Sequence, residues 1–218
     1  IKVEQIKKMV SRGDYETAMK IADTIDWHRV RNASLLSMIA EIYEKNKEYQ
    51  EAKDILLLAF ERAPIGKRLL YKLTDLALKE GNVAEAEAYY REFCDLAQDD
   101  SRQYLLRYLI LKAKKAPLDQ LIRALETYTA VEVDEKWLYE LAELYHKGGM
   151  GDQCVRTCDK IMLLFGLGKY VEKAMDLKLE YEPLNKYQMD LVENREKYEE
   201  KLRAVEPVSY THLRAHET

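Results

Sequence analysis

The sequence predicts an all-α protein in which helical hairpins stack one after another as an α-solenoid. The first observation is a repeat: related segments Gly13–Ala18, Lys47–Ala52 and Gly81–Ala86 follow one another at a step of 34 residues, and each ends in alanine. The second is the step itself, because about 34 residues is the length of one helix-turn-helix unit in a stacked array. The third is the helical spacing of apolar residues on both sides of each turn.

The first unit contains two predicted helices, over 2–10 and 15–25, separated by Gly13. Glycine suits the left-handed conformation in which many helices end. Offsets of four and three define one face of a helix, which we expect to be buried. In the second helix that face comprises Ala18, Ala22 and Ile25.

The second unit shows the clearest pattern. Its first helix carries Leu36, Ile39, Ala40 and Tyr43, its second carries Ala52, Leu56 and Ala59, and Pro64 closes it. This order of residue types resembles the tetratricopeptide repeat. The alanines at 40 and 52 are expected where the two helices cross most closely, because a larger side chain there would force the backbones apart.

The other units follow at the same step. The third matches through Leu70, Leu73, Thr74, Ala77, Ala86, Tyr90 and Phe93, and the fifth through Leu138, Leu141, Ala142, Tyr145, Cys154, Cys158 and Ile161. The fourth keeps Tyr104 and Leu111 but departs at Arg107 and Gln120, and Pro117-Leu118 is expected to open its second helix. A helix over 169–181 begins a sixth unit, which Pro183 ends.

The resemblance implies a right-handed α-solenoid of about five units over residues 1–182. The charged segment 183–206 is predicted to be a capping helix, because the end of a solenoid needs a polar outer face. The start of a coiled coil is the alternative. Residues 208–218 look like a translated sequencing adapter, so we expect 207–218 to be a disordered artefact, with a natural polar tail as the alternative. The chain begins with Ile1 and not Met, so we expect the uncut gene to extend beyond both ends.

Composition excludes several classes of function. The net charge is −4, and lysines and arginines form no dense cluster of the kind that nucleic-acid binders carry. No apolar run approaches the roughly 20 residues of a membrane span. Three cysteines without disulfide-scaffold spacing suggest a reducing environment, which we take to be a bacterial cytoplasm.

Candidate chemistry is sparse. Cys154 and Cys158 share a helical face, but they occupy the small buried stripe of the repeat, so we interpret both, and Cys94, as core residues and not as metal or redox sites. Gly148-Gly149-Met150-Gly151 lacks the lysine of a nucleotide-binding loop. The sequence therefore predicts a protein that is not an enzyme and requires no cofactor.

The resemblance implies that the first helix of each unit lines a concave groove. Carried over residue by residue, one ladder of groove positions is Ser34, Arg68, Arg102 and Lys136, the next is Ser37, Tyr71, Leu105 and Tyr139, and the third is Glu41, Asp75, Leu109 and Glu143. Arginine and tyrosine are the residue types that often dominate binding energy. The predicted partner-binding residues are Arg68, Tyr71, Asp75, Arg102, Leu105, Leu109, Lys136, Tyr139 and Glu143.

The predicted ligand is a short extended or helical peptide with acidic and apolar side chains, and a solvated face with scattered aromatics is the alternative. Family members that clamp a terminal carboxylate use Lys and Asn at groove positions held here by pairs such as Tyr71/Asp75. Because acidic residues there would repel a carboxylate, we set that role aside. The predicted function is a non-catalytic scaffold. The alternative is a sensory or regulatory module of a larger signalling enzyme, ATPase or transcription regulator.

Overall fold

A computed structural model of the protein describes residues 1–62 and 66–204. All regular structure in these residues is helical. The α-helices are α1 (Lys2–Ser11), α2 (Tyr15–Ala22), α3 (Ala33–Lys45), α4 (Tyr49–Arg62), α5 (Lys67–Glu80), α6 (Val83–Leu96), α7 (Arg102–Ala113), α8 (Leu118–Val131), α9 (Glu135–Lys147), α10 (Gly151–Phe165), α11 (Lys169–Leu179) and α12 (Lys186–Ala204). Pro64 and the predicted tail 207–218 lie outside the described residues.

The described residues divide into two compact parts, one within 1–124 and one within 125–204, and each is described by itself. We call these the first and the second unit, and each helical pair predicted from the sequence is called a repeat. In the first unit, α1 packs on α2, α3 on α4 and α5 on α6; in the second unit, α9 packs on α10 and α10 on α11. The fold class predicted from the repeat is confirmed. One continuous array over 1–182 stays a prediction.

The turn between the two helices of a hairpin keeps the 34-residue step in all five copies. The residues with a left-handed backbone at these turns are Gly13, Lys47, Gly81, Lys115 and Gly149, with φ between 57° and 86°. In each copy the next residue donates its backbone N–H to a carbonyl of the preceding helix at 2.9–3.0 Å, as in a Schellman motif. Lysines occupy two of these positions, where side chains other than glycine are disfavoured.

The small residues at the predicted helix crossings are buried. Ala18, Ala52 and Ala86 are each 0% exposed, and the predicted inner faces of α3 and α9 are buried as well. The predicted helix over 15–25 was too long, since α2 ends at Ala22. The cause is Trp27, which is buried in a short 3-10 turn and donates its indole N–H to the Ala22 carbonyl at 3.0 Å.

Helix α7 buries a different face from the other first helices. At the repeat positions where Leu36, Leu70 and Leu138 are buried, Tyr104 is 36% exposed, and Arg107 is exposed where Leu73 and Leu141 are buried. Its buried residues are Leu105, Leu106, Tyr108 and Ile110. Tyr108 is 0% exposed and occupies the position of the crossing residue Ala40. Its side chain fills space that Ala40 and Ala142 leave to the neighbouring helix in the other repeats.

Helix α12 is tied to the second unit at its start by a buried polar cluster. The Lys178 ammonium donates to Asp159 and to the Gln188 amide oxygen, both at 2.7 Å, and the Gln188 amide donates to Asp159 at 2.6 Å. Asn185 and Gln188 exchange backbone-to-side-chain hydrogen bonds in a capping box. Lys178 and Gln188 are each 2% exposed.

Candidate groove in the first unit

An open groove of about 1090 Å³ in the first unit is the candidate site. Its walls come from α3, α4, α5 and the start of α7. The apolar residues that line it are Ala33, Ala40, Tyr49, Leu56, Ala59, Leu69 and Tyr71. Its charged residues are Glu41, Glu44, Lys45, Lys47, Arg68, Lys72, Lys79 and Arg102, and the small polar ones are Ser34 and Ser37. The groove therefore combines apolar side chains with an excess of basic over acidic ones.

Arg102 is held at one end of this groove by three neighbours. Its guanidinium carbon lies 5.2 Å from the centre of the Tyr71 ring and 5.7 Å from that of Phe93, within the range of cation–π contacts. Its Nε and Nη2 donate to the two carboxylate oxygens of Asp100 at 3.0 and 2.8 Å. Arg102 is thus fixed in position before any ligand arrives.

Asp100 also pairs with Lys67, whose ammonium lies 2.9 Å from the carboxylate. Hydrogen bonds from Arg102, which outweigh the effect of burial, hold the Asp100 pKa well below its ordinary value. Sequence reasoning missed Asp100. It precedes α7 in the connection after α6, where the repeat pattern places no groove residue.

Asp75, a predicted groove residue, lies just outside the groove lining and belongs to a charge cluster. The ammonium groups of Lys72 and Lys79 lie 3.5 and 3.2 Å from its carboxylate, and both also pair with Glu44 at 2.6 and 2.5 Å. Burial alone would raise the Glu44 pKa, but the two lysines outweigh it and lower the pKa. Asp75 is therefore a neutralised member of a charge cluster and not a lone negative charge.

The predicted groove residues of the first unit are placed in three ways. Arg68, Tyr71 and Arg102 line the groove together. Leu105 is 4% exposed and lies in the core, and Leu109 is half-buried, because α7 turns this face inward. Arg68 is exposed, and no ion pair joins it to any residue that the structure describes. Its charge is thus available to a ligand.

The second unit holds the remaining predicted residues on α9. Lys136 is exposed, while Tyr139 and Glu143 are half-buried. The Tyr139 ring lies 6.1 Å from the Tyr170 ring, and the Lys173 ammonium lies 5.8 and 5.5 Å from the two ring centres. Burial, followed by the charge of Glu143, raises the Tyr139 pKa to about 12.

Tyr170 and Lys173 were not named as groove residues by the sequence reasoning. They stand 34 residues after Lys136 and Tyr139, so extending both ladders by one step into α11 would have found them. Together these residues form an aromatic and basic face within the second unit.

Two of the three cysteines, Cys154 and Cys158, lie in the core as predicted, whereas Cys94 does not. Cys154 and Cys158 are 0% exposed, and burial raises the pKa of both thiols. Cys94 is half-buried on α6. Within residues 1–62 and 66–204, no group of three or more His, Cys, Asp or Glu side chains is arranged to hold a metal ion. A bilayer-spanning segment needs about 20 apolar residues, and none of the described helices provides one.

No protein-family model matches this sequence, and no curated protein matches it. Solved structures do. A tetratricopeptide repeat protein from Parabacteroides merdae ATCC 43184 is 16% identical, with a TM-score of 0.59 over 88% of this chain and 82% of that one. A thermophilic TPR protein of Thermus thermophilus is 16% identical, with a TM-score of 0.56 over 83% and 95%. MamA from Desulfovibrio magneticus RS-1, from its residue 41 to the end, is 16% identical, with a TM-score of 0.53 over 83% and 97%.

Similarity at identities this low concerns the fold of these proteins and says nothing about their ligands. Both the helical hairpins and the turns that recur every 34 residues agree with that relationship. The chain has the all-α solenoid fold of the tetratricopeptide repeat proteins.

Proposed function

We propose that this chain is a non-catalytic interaction module of the cytoplasm whose first-unit groove binds an acidic, partly apolar peptide segment of a partner protein. The observation that carries the proposal is the charge of the groove. Six Lys or Arg side chains line it against two Glu, although the whole chain has a net charge of −4. A cleft of one sign of charge concentrates ligands of the opposite sign.

Internal pairing does not cancel this charge. Asp75 and Asp100 pair with groove cations from just outside the lining, and counting them still leaves six positive charges against four carboxylates. Lys72 and Lys79 are the most neutralised, because Glu44 and Asp75 hold both. The exposed Arg68 is the side chain best placed to pair with a ligand carboxylate.

The apolar part of the groove favours a peptide over a small anion. The half-buried Tyr71, Leu69 and Tyr49 offer surface on which an apolar side chain can be buried, at about 25 cal/mol for each Å² removed from water. Arg102, already stacked on Tyr71 and paired with Asp100, gives a rigid edge to this surface. A rigid site loses less conformational entropy when the ligand binds.

The aromatic and basic face of the second unit supports a second contact of the same kind. Tyr139, Tyr170 and Lys173 form its centre, and Lys136 and Lys169 are exposed nearby on the same helices. We include Lys136, Tyr139 and Glu143 in the proposed binding surface on this basis.

The test uses two twelve-residue fluorescent peptides, one alternating Glu and Leu and one alternating Lys and Leu. At low salt we expect the acidic peptide to bind and the basic peptide not to bind. The binding of the acidic peptide should weaken as salt screens the charges. On titration, methyl NMR should show shifts at Leu69 in the groove. Arg68→Glu should weaken binding about tenfold or more.

Arg12→Glu is the matched control, since Arg12 is exposed and lies on α1's C-terminal cap, outside the groove lining. Its binding of the acidic peptide should equal that of the original chain. Equal binding of the acidic and basic peptides would overturn the proposal, and so would an unchanged Leu69 signal.

A further inference from the structure

Helix α7 is apolar around most of its circumference. Residues 104, 105, 106, 108, 109, 110 and 111 are all Tyr, Leu or Ile. A helix of this kind is normally buried on every side. Here Leu105, Leu106, Tyr108 and Ile110 are buried, whereas Tyr104 and Arg107 are exposed and Leu111 is only half-buried. In the neighbouring repeats, the residues at the equivalent positions belong to the core.

The face of α7 that carries Arg107 and Leu111 forms one wall of a second, smaller crevice of about 470 Å³ in the first unit. We call it the α6–α7 crevice and define it by Glu87, Tyr90, Arg91, Arg107, Leu111 and Lys114. It shares no residue with the groove. Its base is apolar, because the half-buried Tyr90 and Leu111 contribute to it.

The charges around the crevice are unequally paired. Lys114 forms an ion pair with Glu87 across it. Arg91 and Arg107 are both exposed, and within the described part of the chain neither forms an ion pair. Two available guanidinium groups therefore flank an apolar base, one from each helix.

We propose that the α6–α7 crevice is a further docking site, independent of the groove, for a partner segment in which an aliphatic side chain is flanked by carboxylates. The aliphatic side chain packs on Tyr90 and Leu111, and the carboxylates pair with Arg91 and Arg107. Arginine suits this role because its planar fork matches the geometry of a carboxylate. Arg107 stands where the neighbouring repeats carry Leu73 and Leu141. In this proposal it contributes a ligand contact on the outward face of α7.

The site is tested with the Glu/Leu peptide carrying a nitroxide spin label, which broadens nearby methyl signals. We expect broadening at Leu111 in the crevice. Reversing both charges with Arg91→Glu and Arg107→Glu should remove it and weaken the binding measured there about tenfold or more. The conservative pair Arg91→Lys and Arg107→Lys should retain most of the binding.

The matched control is Arg12→Glu with Arg31→Glu, which changes the net charge equally at two exposed positions outside the crevice. It should leave the broadening at Leu111 unchanged. Circular dichroism checks that each variant folds, and Arg91→Gln with Arg107→Gln replaces the double reversal if that variant does not.

Two signals separate this proposal from the proposed function. Broadening at Leu69 without broadening at Leu111 would overturn the crevice and leave the groove in place. Broadening at Leu111 without any at Leu69 would support the crevice and contradict the groove. Broadening at Leu111 that persists in the double reversal would also overturn the proposal.

Discussion

The guanidinium of Arg102 lies over the Tyr71 ring at 5.2 Å, although the two residues occupy different positions of the repeat and different helices. Asp100 fixes the same guanidinium at its edge through two hydrogen bonds. The Arg102 side chain of one repeat thus becomes part of the groove wall formed by the preceding repeat.

The first prediction concerns Asp100, which holds both Arg102 and Lys67. Asp100→Asn should lower the free energy of unfolding of the first unit by about 1–3 kcal/mol at neutral pH, because two charge-assisted pairs are lost. The pKa of Asp100 is lower in the folded protein than its ordinary value. Its contribution is therefore complete above about pH 4, and it disappears as the pH falls through the folded pKa.

Urea unfolding at pH 7 and at pH 3 measures this effect. The difference between Asp100→Asn and the original chain should be larger at pH 7. Asp99→Asn is the control, since Asp99 is the adjacent exposed residue. If both variants unfolded at the same urea concentration at pH 7, Asp100 would not stabilise the first unit.

The second prediction concerns the two lysines in left-handed turns, Lys47 and Lys115. Lys47→Gly should raise the unfolding free energy by up to about 1 kcal/mol, because glycine adopts this conformation without the steric cost of a Cβ atom. Gly81→Ala at the equivalent turn should lower it by about 1 kcal/mol. Lys47→Ala keeps the Cβ atom that causes the strain but removes the charge, and it serves as the control. Stabilisation by Lys47→Ala equal to that by Lys47→Gly would rule out backbone strain as the cause.

The third prediction tests the helix crossing at Ala52, which is fully buried. Ala52→Leu should destabilise by about 1–3 kcal/mol, because the added atoms have no space between α3 and α4. Ala84→Leu makes the same change at an exposed helical position of α6 and should have little effect. The comparison of thermal melting temperatures decides the point. A melting temperature unchanged by Ala52→Leu would show that Ala52 is not at a tight crossing.

The hairpins could be predicted from the sequence because each one repeats the same local requirements. A small residue at 18, 52 or 86 and a left-handed turn five residues earlier are needed wherever two helices cross closely. These requirements act within a single hairpin, so they remain visible in the sequence. Burial at Ala52 and the turn at Gly81 both agree with them.

The fourth repeat could not be predicted in the same way. The side chains of α7 are apolar around most of its circumference, so its sequence alone does not decide which face is buried. The repeat pattern favoured Tyr104 and Leu111 as core residues, whereas the structure buries Leu105 and Tyr108. The end of α2 could not be predicted from the repeat either, since Trp27 lies outside the repeat pattern and donates its indole N–H to the Ala22 carbonyl at the end of the helix.

The fourth prediction concerns the thiols. In the folded protein at pH 7.5, a maleimide reagent should modify Cys94, which is half-buried, much faster than the fully buried Cys154 and Cys158. Burial also raises the pKa of those two thiols and reduces their reactive thiolate form. Mass spectrometry of labelled peptides gives the order of modification, and unfolding in urea should equalise the three rates. Rapid labelling of Cys154 in the folded chain would contradict the core interpretation.

The fifth prediction concerns the attachment of α12, on which its role as a capping helix depends. Gln188→Ala removes the hydrogen bonds that join Lys178, Asp159 and the Asn185 backbone to this helix. Because the amide is 2% exposed, its loss leaves buried polar groups unsatisfied, at a cost of about 1–3 kcal/mol. We therefore expect faster hydrogen exchange in the first turns of α12, with α9 and α10 unaffected.

Met189→Ala is the control for this experiment, because Met189 is the next residue and is 61% exposed. Its hydrogen exchange should match that of the original chain. A coiled coil would instead be held by apolar contacts along α12, so Gln188→Ala would leave its protection unchanged. Protection that also depended on protein concentration would favour the coiled coil, since a second chain would then supply the contacts.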